Sequence, residues 1–160
     1  MSLHLALQRA SKAPMPEERQ LHDWIAATLL GQGHPGDVEI TVRVVDEAEM
    51  SSLNQTYRGK PGPTNVLSFP SELPPELDLP LLGDIVICAP VVRREAVQQG
   101  KRESAHWAHM TVHGTLHLLG YDHVADGEAA RMEALETTIL AGLGYPCPYS
   151  SEPLPEQAGA

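Results

Sequence analysis

His113, His117 and His123 are spaced to hold a metal ion. The first two are four residues apart, which puts both imidazoles on one face of a helix, one turn from each other. Gly120 then lets the chain leave that helix through a left-handed turn, so that His123 folds back as a third ligand. Three neutral imidazoles leave a fourth tetrahedral position open, the plan of a catalytic zinc rather than a structural one, and one zinc ion per chain is expected. His106 and His109 lie seven and four residues before His113. They read either as supporting donors or a fourth ligand, or as partly exposed helix residues. Asp122 reads equally as an imidazole-orienting carboxylate or as a turn residue.

The spacing His-x-x-x-His-x-x-Gly-x-x-His is similar to that of the metzincin proteases, in which a Glu directly after the first His serves as general base. Here that position is Gly114. A glycine cannot accept the proton of an attacking water, so peptide hydrolysis is disfavoured unless a Glu arrives from elsewhere, such as Glu72 or Glu76. A phosphodiester asks less of a protein base and more of a metal and of positive charge near its oxygens. Arg58 and Lys60, on the Gly/Pro loop 58–64, are candidates for that charge, because a guanidinium can grip a phosphate through two parallel hydrogen bonds. The alternative for Arg58 is a solvated loop charge. Asn65 and Ser68 are candidates to line the same cleft, with ordinary turn and strand roles as their alternative. Against a nucleic-acid substrate stands the net charge of −10, from 11 basic and 21 acidic side chains. Its summed field repels polyanions unless the few cations gather at one place.

Alternation at Leu3, Leu5 and Leu7, and again from Val38 to Val45, predicts two half-buried strands. Leu21, Trp24, Ile25 and Leu29 predict a helix after Pro14 and Pro16 that Gly31 and Gly33 stop. Asp46 is placed to cap a short helix reaching about Tyr57. Asn65–Phe69 and Gly83–Ala89 read as strands, with Pro90 opening a helix between them and Gly100. Ser71–Leu81 is too Pro-rich for an element; it reads as a flap or as an ordinary surface loop. Helices are expected from about Ser104 to Leu119, which carries His113 and His117, and from about Asp126 to Leu140. Met132, in the last of these, reads as core, with a place beneath the metal as the alternative. The expected fold is α+β: a small mixed sheet packed with helices, and a metal site on a helix of the C-terminal half and the turn after it.

One domain is expected over 1–146, with 147–160 as a flexible Pro-rich tail. Cys88 and Cys147 read as free thiols. No signal peptide or membrane-length apolar run is present, so a cytoplasmic protein without a membrane partner is expected.

Beyond the histidine segment, Asn54–Lys60 followed by Pro63–Pro70, then Leu82–Ile87, Met132–Glu136 and Leu143–Tyr145 occur in order along the chain. Together these segments resemble the YbeY family of bacterial metal-dependent endoribonucleases, from about Val38 to Tyr145. The resemblance implies a zinc held by His113, His117 and His123, and Arg58 as a catalytic residue. It further implies single-strand-specific cleavage in maturation of the 3′ end of small-subunit ribosomal RNA, and a part in ribosome quality control. Gly62 departs from the pattern, since other members often carry charge there. The rival readings are a ribosome-associated RNA-binding factor whose zinc is structural, and a metzincin-like zinc peptidase.

Overall fold

The computed structural model describes residues 2–34, 36–77, 79–121 and 126–149. Four strands, β1 (Ser2–Arg9), β2 (Asp37–Val45), β3 (Val66–Pro70) and β4 (Leu81–Cys88), form one sheet in the order β1-β2-β4-β3. The first three in that order run parallel, and β3 is the antiparallel edge strand. Register aligns the apolar rows: Leu7 pairs with Val42, Val42 with Ile85, and Ile85 with Ser68. Along β2, Val38, Ile40, Val42 and Val44 are buried while Glu39, Thr41 and Arg43 point the other way, the period-2 pattern of the sequence.

Helix α1 (Glu18–Gly31) lays Leu21, Trp24, Ile25 and Leu29 into the core formed on that apolar face. Its start is a reciprocal cap between Glu17 and Gln20. On the opposite face, α2 (Glu47–Arg58) closes a smaller core in which Met50 joins Val45, Leu67, Val86, Cys88 and Val91. Asp46 stands at the cap position of α2 but makes no cap hydrogen bond. Its carboxylate instead accepts from the Ser11 hydroxyl, so it ties the chain leaving β1 to the start of α2. The loop after β3 contains a single 3₁₀ turn at Pro75–Leu77.

The remaining helices are α3 (Ala89–Gln98), α4 (Glu103–Leu118) and α5 (Asp126–Gly142). Helix α4 is the centre of the molecule, lying against α1, α3, α5, β3 and β4. It is buried almost all round, including the flank that carries its histidines. Met132 and Leu140 of α5 join the same core. The α+β expectation holds. Among the described residues no helix is long and apolar enough to cross a membrane.

Ile25 is fully buried and Val97 is 77% exposed. Ile25→Ala should therefore cost about 2–5 kcal/mol and Val97→Ala less than about 0.5 kcal/mol, read from urea unfolding. Equal losses would mean that the α1 face is not part of the core.

Candidate active site

Helix α4 carries four histidines on one flank, and neighbouring elements fix three of them from behind. His106 is buried, and its Nε2 lies 2.9 Å from Glu95 Oε1 on α3. Glu95 also accepts from Asn65 Nδ2 at 3.1 Å. The hydrogen bond from His106 holds the Glu95 carboxyl below its ordinary range against the opposing effect of burial, with Asn65 adding to the shift. His109 Nε2 donates to Glu136 Oε1 at 3.0 Å, and His113 Nδ1 meets Glu136 Oε2 at 2.7 Å. Of the two readings open for His106 and His109, partial exposure is corrected: both are buried and tied to carboxylates.

Glu136, on α5, is wholly buried. Burial alone would raise its carboxyl, but the hydrogen bonds from His109 and His113 outweigh that and bring it down to about 2. Its third partner is the Tyr149 hydroxyl, which donates to Oε1 and is itself pushed up by burial and by the carboxylate. Burial pushes His109 below the usual histidine value despite Glu136, which favours the neutral ring with its proton on Nε2. Because Nδ1 of His113 is taken by Glu136, the ring presents Nε2 to the cleft, the arrangement of a metal-ligating histidine held by a carboxylate. The His113 and His117 rings stand with centroids 4.7 Å apart at 71°.

The spacing of β3 and α4 rests on Gly114. A Cβ there would lie 3.0 Å from Ile85 Cγ2, 3.2 Å from Ser68 Oγ and 3.3 Å from Val66 Cγ2. The Ser68 hydroxyl uses this close approach to donate to the Gly114 carbonyl at 2.9 Å. A glutamate at 114 would project into the β3 and β4 side chains. Helix α4 ends at Leu118, and Gly120 just beyond its cap has a φ of 98°, the left-handed turn expected there.

These elements enclose a cleft of about 610 Å³, lined among others by Arg58, Asn65, Ser68, His109, His113 and His117. Arg58, the last residue of α2, is thus brought to the histidines. Asn54 steadies the loop that follows it, donating through Nδ2 to the Gly62 carbonyl at 2.9 Å. Lys60 is exposed and is not among the residues lining the cleft. Glu72 lines a different groove, with Tyr57 and Phe69 on the other face of β3. Asp122 and His123 lie outside the described residues. Among the described residues no three His, Cys, Asp or Glu side chains converge as a metal site. His113 and His117 supply two nitrogen donors of the kind zinc takes, and a third ligand is needed to complete a catalytic set.

Sequence reasoning gives no role to two side chains at the cleft. Glu136 enters it only within the segment Met132–Glu136, because what it does depends on how α5 packs against α4. Tyr149 lies in the Pro-rich end, yet it lines the cleft beside His109, and Lys101 Nζ donates to the neighbouring Pro148 carbonyl at 2.6 Å.

Fold and cleft together define an α+β protein whose central helix turns imidazoles, backed by a buried carboxylate, toward an open cleft. The model of the family described as Endoribonuclease YbeY matches residues 7–144, and the chain belongs to that family. It is 56% identical over 151 residues to the protein named Endoribonuclease YbeY of Pseudomonas fluorescens, covering 94% of this chain and 98% of that one. The same identity holds with the Endoribonuclease YbeY of Pseudomonas putida, over 94% of this chain and 95% of the relative. The solution structure of TM1509 from Thermotoga maritima shares the fold, with a TM-score of 0.57 and 24% identity over 88% of this chain and 92% of that one.

Glu136 sits at about 2, below its ordinary value of 4.5. Its stabilising contribution is present above the unfolded value and is lost as pH falls through about 2. The amount is on the order of 3 kcal/mol. In Glu136→Gln that contribution is gone: the variant should be less stable at pH 7, and its unfolding free energy should fall less steeply between pH 5 and 2. Parallel pH profiles for the two proteins would show that Glu136 is not the charged acceptor under the histidines.

Proposed function

We propose that the protein is a metal-dependent endoribonuclease that cleaves single-stranded regions of RNA, with Arg58, His113, His117 and His123 as its catalytic residues. One zinc ion per chain would be held by the three histidines. Its substrate is the 3′ region of small-subunit ribosomal RNA, and its place is at the ribosome in the cytoplasm, where it serves maturation and quality control. Residues 1–146 form the catalytic domain and 147–160 the tail, from which Tyr149 reaches back to Glu136.

The observation that carries the reading is the His113–His117 pair, backed by Glu136 and opening onto the cleft that Arg58 enters. Zinc bound there would supply Lewis acidity toward a phosphoryl oxygen. The chain's own residues supply the rest. Glu136 fixes which nitrogen His113 presents, and the Arg58 guanidinium binds the phosphate and offsets charge that develops on it. The lining fits a polyanion in spite of the net charge, because none of its described residues is Asp or Glu. The carboxylate behind the histidines, Glu136, is wholly buried, and its oxygens are taken by His109, His113 and Tyr149.

The peptidase reading loses support at two points. A side chain at position 114 would crowd Ile85, Ser68 and Val66, and Glu72, one proposed substitute for the missing base, belongs to the groove on the far face of β3. The structural-zinc reading is separated by experiment. Wild type, His117→Ala and Arg58→Ala, purified identically, are compared on a labelled RNA carrying the 3′ region of small-subunit ribosomal RNA. Wild type should cleave it and hold one zinc per chain. His117→Ala should lose zinc and activity together. Arg58→Ala should keep zinc and lose about 10²-fold or more in kcat/KM, the scale of one lost transition-state donor. Equal cleavage by all three would mean a contaminating nuclease. Zinc binding with RNA affinity but no cleavage would favour the binding factor.

A further inference from the structure

The cleft has a polar wall that no side chain provides. In the β3–β4 pair the Cys88 N–H donates to the Asn65 carbonyl at 2.9 Å, and the Ser71 N–H donates to the Leu82 carbonyl at 2.9 Å. With the register Leu67↔Val86 and Phe69↔Asp84 between them, the odd-numbered residues of β3 turn their main-chain groups toward β4. The even-numbered residues, Val66, Ser68 and Pro70, therefore direct theirs to the free edge. Pro70 fits this parity, since a proline is tolerated where no ladder bond is lost. The edge faces the cleft: Thr64 through Ser68 line it without a break, including Leu67, whose side chain is buried in the core on the other face.

The outward groups are not equivalent. The Val66 N–H is taken by Asn65 Oδ1 at 2.7 Å, and Pro70 has no N–H. Ser68 thus supplies the outward amide donor of β3, while the carbonyls of Val66 and Ser68 face out as acceptors. The Ser68 side chain is turned the other way, onto Gly114 next to His113.

We propose that the free edge of β3 is the ribose-phosphate subsite of the nuclease: the Ser68 amide donates to a phosphate oxygen, and the Val66 and Ser68 carbonyls accept from ribose 2′-hydroxyls. This rests on the reading of the histidine cleft as the place of RNA cleavage. Phosphates accept hydrogen bonds but do not donate them, so among the groups of a nucleic-acid backbone facing this wall the donor that matches its carbonyls is the 2′-hydroxyl that RNA has and DNA lacks. Equivalent groups along a strand recur every two residues, about 6.6–6.8 Å, a spacing comparable to that of successive nucleotides in an extended strand. The edge therefore selects RNA over DNA through its main chain, independent of base identity.

Two measurements test this. Ser68→Ala removes the bond to Gly114 but keeps the amide, whereas Ser68→Pro removes the amide at a position outside the ladder. With melting temperature and zinc content as controls, Ser68→Pro should lose about 10- to 100-fold in kcat/KM on RNA relative to Ser68→Ala, the scale of a hydrogen bond to a charged group. A folded, zinc-loaded Ser68→Pro that matches Ser68→Ala would overturn the proposal. Should Ser68→Pro fail to fold, a 2′-deoxy scan decides, read by binding of labelled oligonucleotides to the wild-type holoenzyme. A loss of about 3- to 10-fold per substitution is expected at one or two adjacent nucleotides. A flat scan would sink the idea, and so would competition by an extended peptide that Ser68→Pro abolishes, which would assign the edge to a protein strand. Absence of RNA cleavage by wild type alongside a positive scan would count against the catalytic reading and leave the subsite standing.

Discussion

Everything around the cleft depends on one buried carboxylate. Glu136 has no access to solvent, and an uncompensated charge there would cost several kcal/mol. Donors from three directions compensate it: His109 and His113 on α4, and the Tyr149 hydroxyl from the chain end. The same bonds join α5 and the C-terminal segment to the central helix and decide which nitrogen His113 turns outward. A purely apolar contact between α4 and α5 would hold the helices together as well. It would leave the imidazole free to rotate and to change tautomer, which a ligand must not do.

The second constraint is how closely β3 can approach α4. Position 114 is where a zinc peptidase needs its base, and here the missing side chain is occupied by the contacts of Ile85, Val66 and Ser68. The substitution that removes one chemistry thus creates the geometry of another. The edge strand is drawn down onto the histidine helix, its outward main-chain groups border the cleft, and Arg58 arrives at the end of α2 with its loop pinned by Asn54. In a protein with ten excess negative charges, no Asp or Glu is among the described residues that line this cleft, which lowers the barrier to a polyanion there.

How much of this could be read from the sequence follows from the range of each interaction. Strands β1 and β2, the helix through Leu21 and Leu29, and the His113–His117 face were legible because period 2 and period 3.6 are local properties of the chain. Arg58, Asn65 and Ser68 were legible as cleft candidates because Gly and Pro mark where elements end. Asp46 was misread as a side-chain cap because its local pattern is that of one; what wins is Ser11, 35 residues earlier. His106 and His109 stayed open between supporting donors, a fourth ligand and partly exposed residues because nothing near them in sequence supplies a partner; theirs are Glu95 on α3 and Glu136 on α5. Tyr149 sits among prolines and small residues that read as tail, and only the packing of that segment past Lys101 brings it to the site.

These two histidines show what the site demands of its support. Each carboxylate that ties one of them also ties a cleft residue: Glu95 holds His106 and Asn65, and Glu136 holds His109 and His113. His106 and His109 therefore act as fixed counterparts that keep the two carboxylates charged and aimed. Removing either would leave a carboxylate, part-exposed Glu95 or buried Glu136, with one donor fewer, and the strain would fall on the cleft residue that shares it. Four histidines on one flank of a helix are thus not four candidates for one task. Those at the buried end set the carboxylates, one carboxylate aligns His113, and the imidazoles at the open end line the cleft.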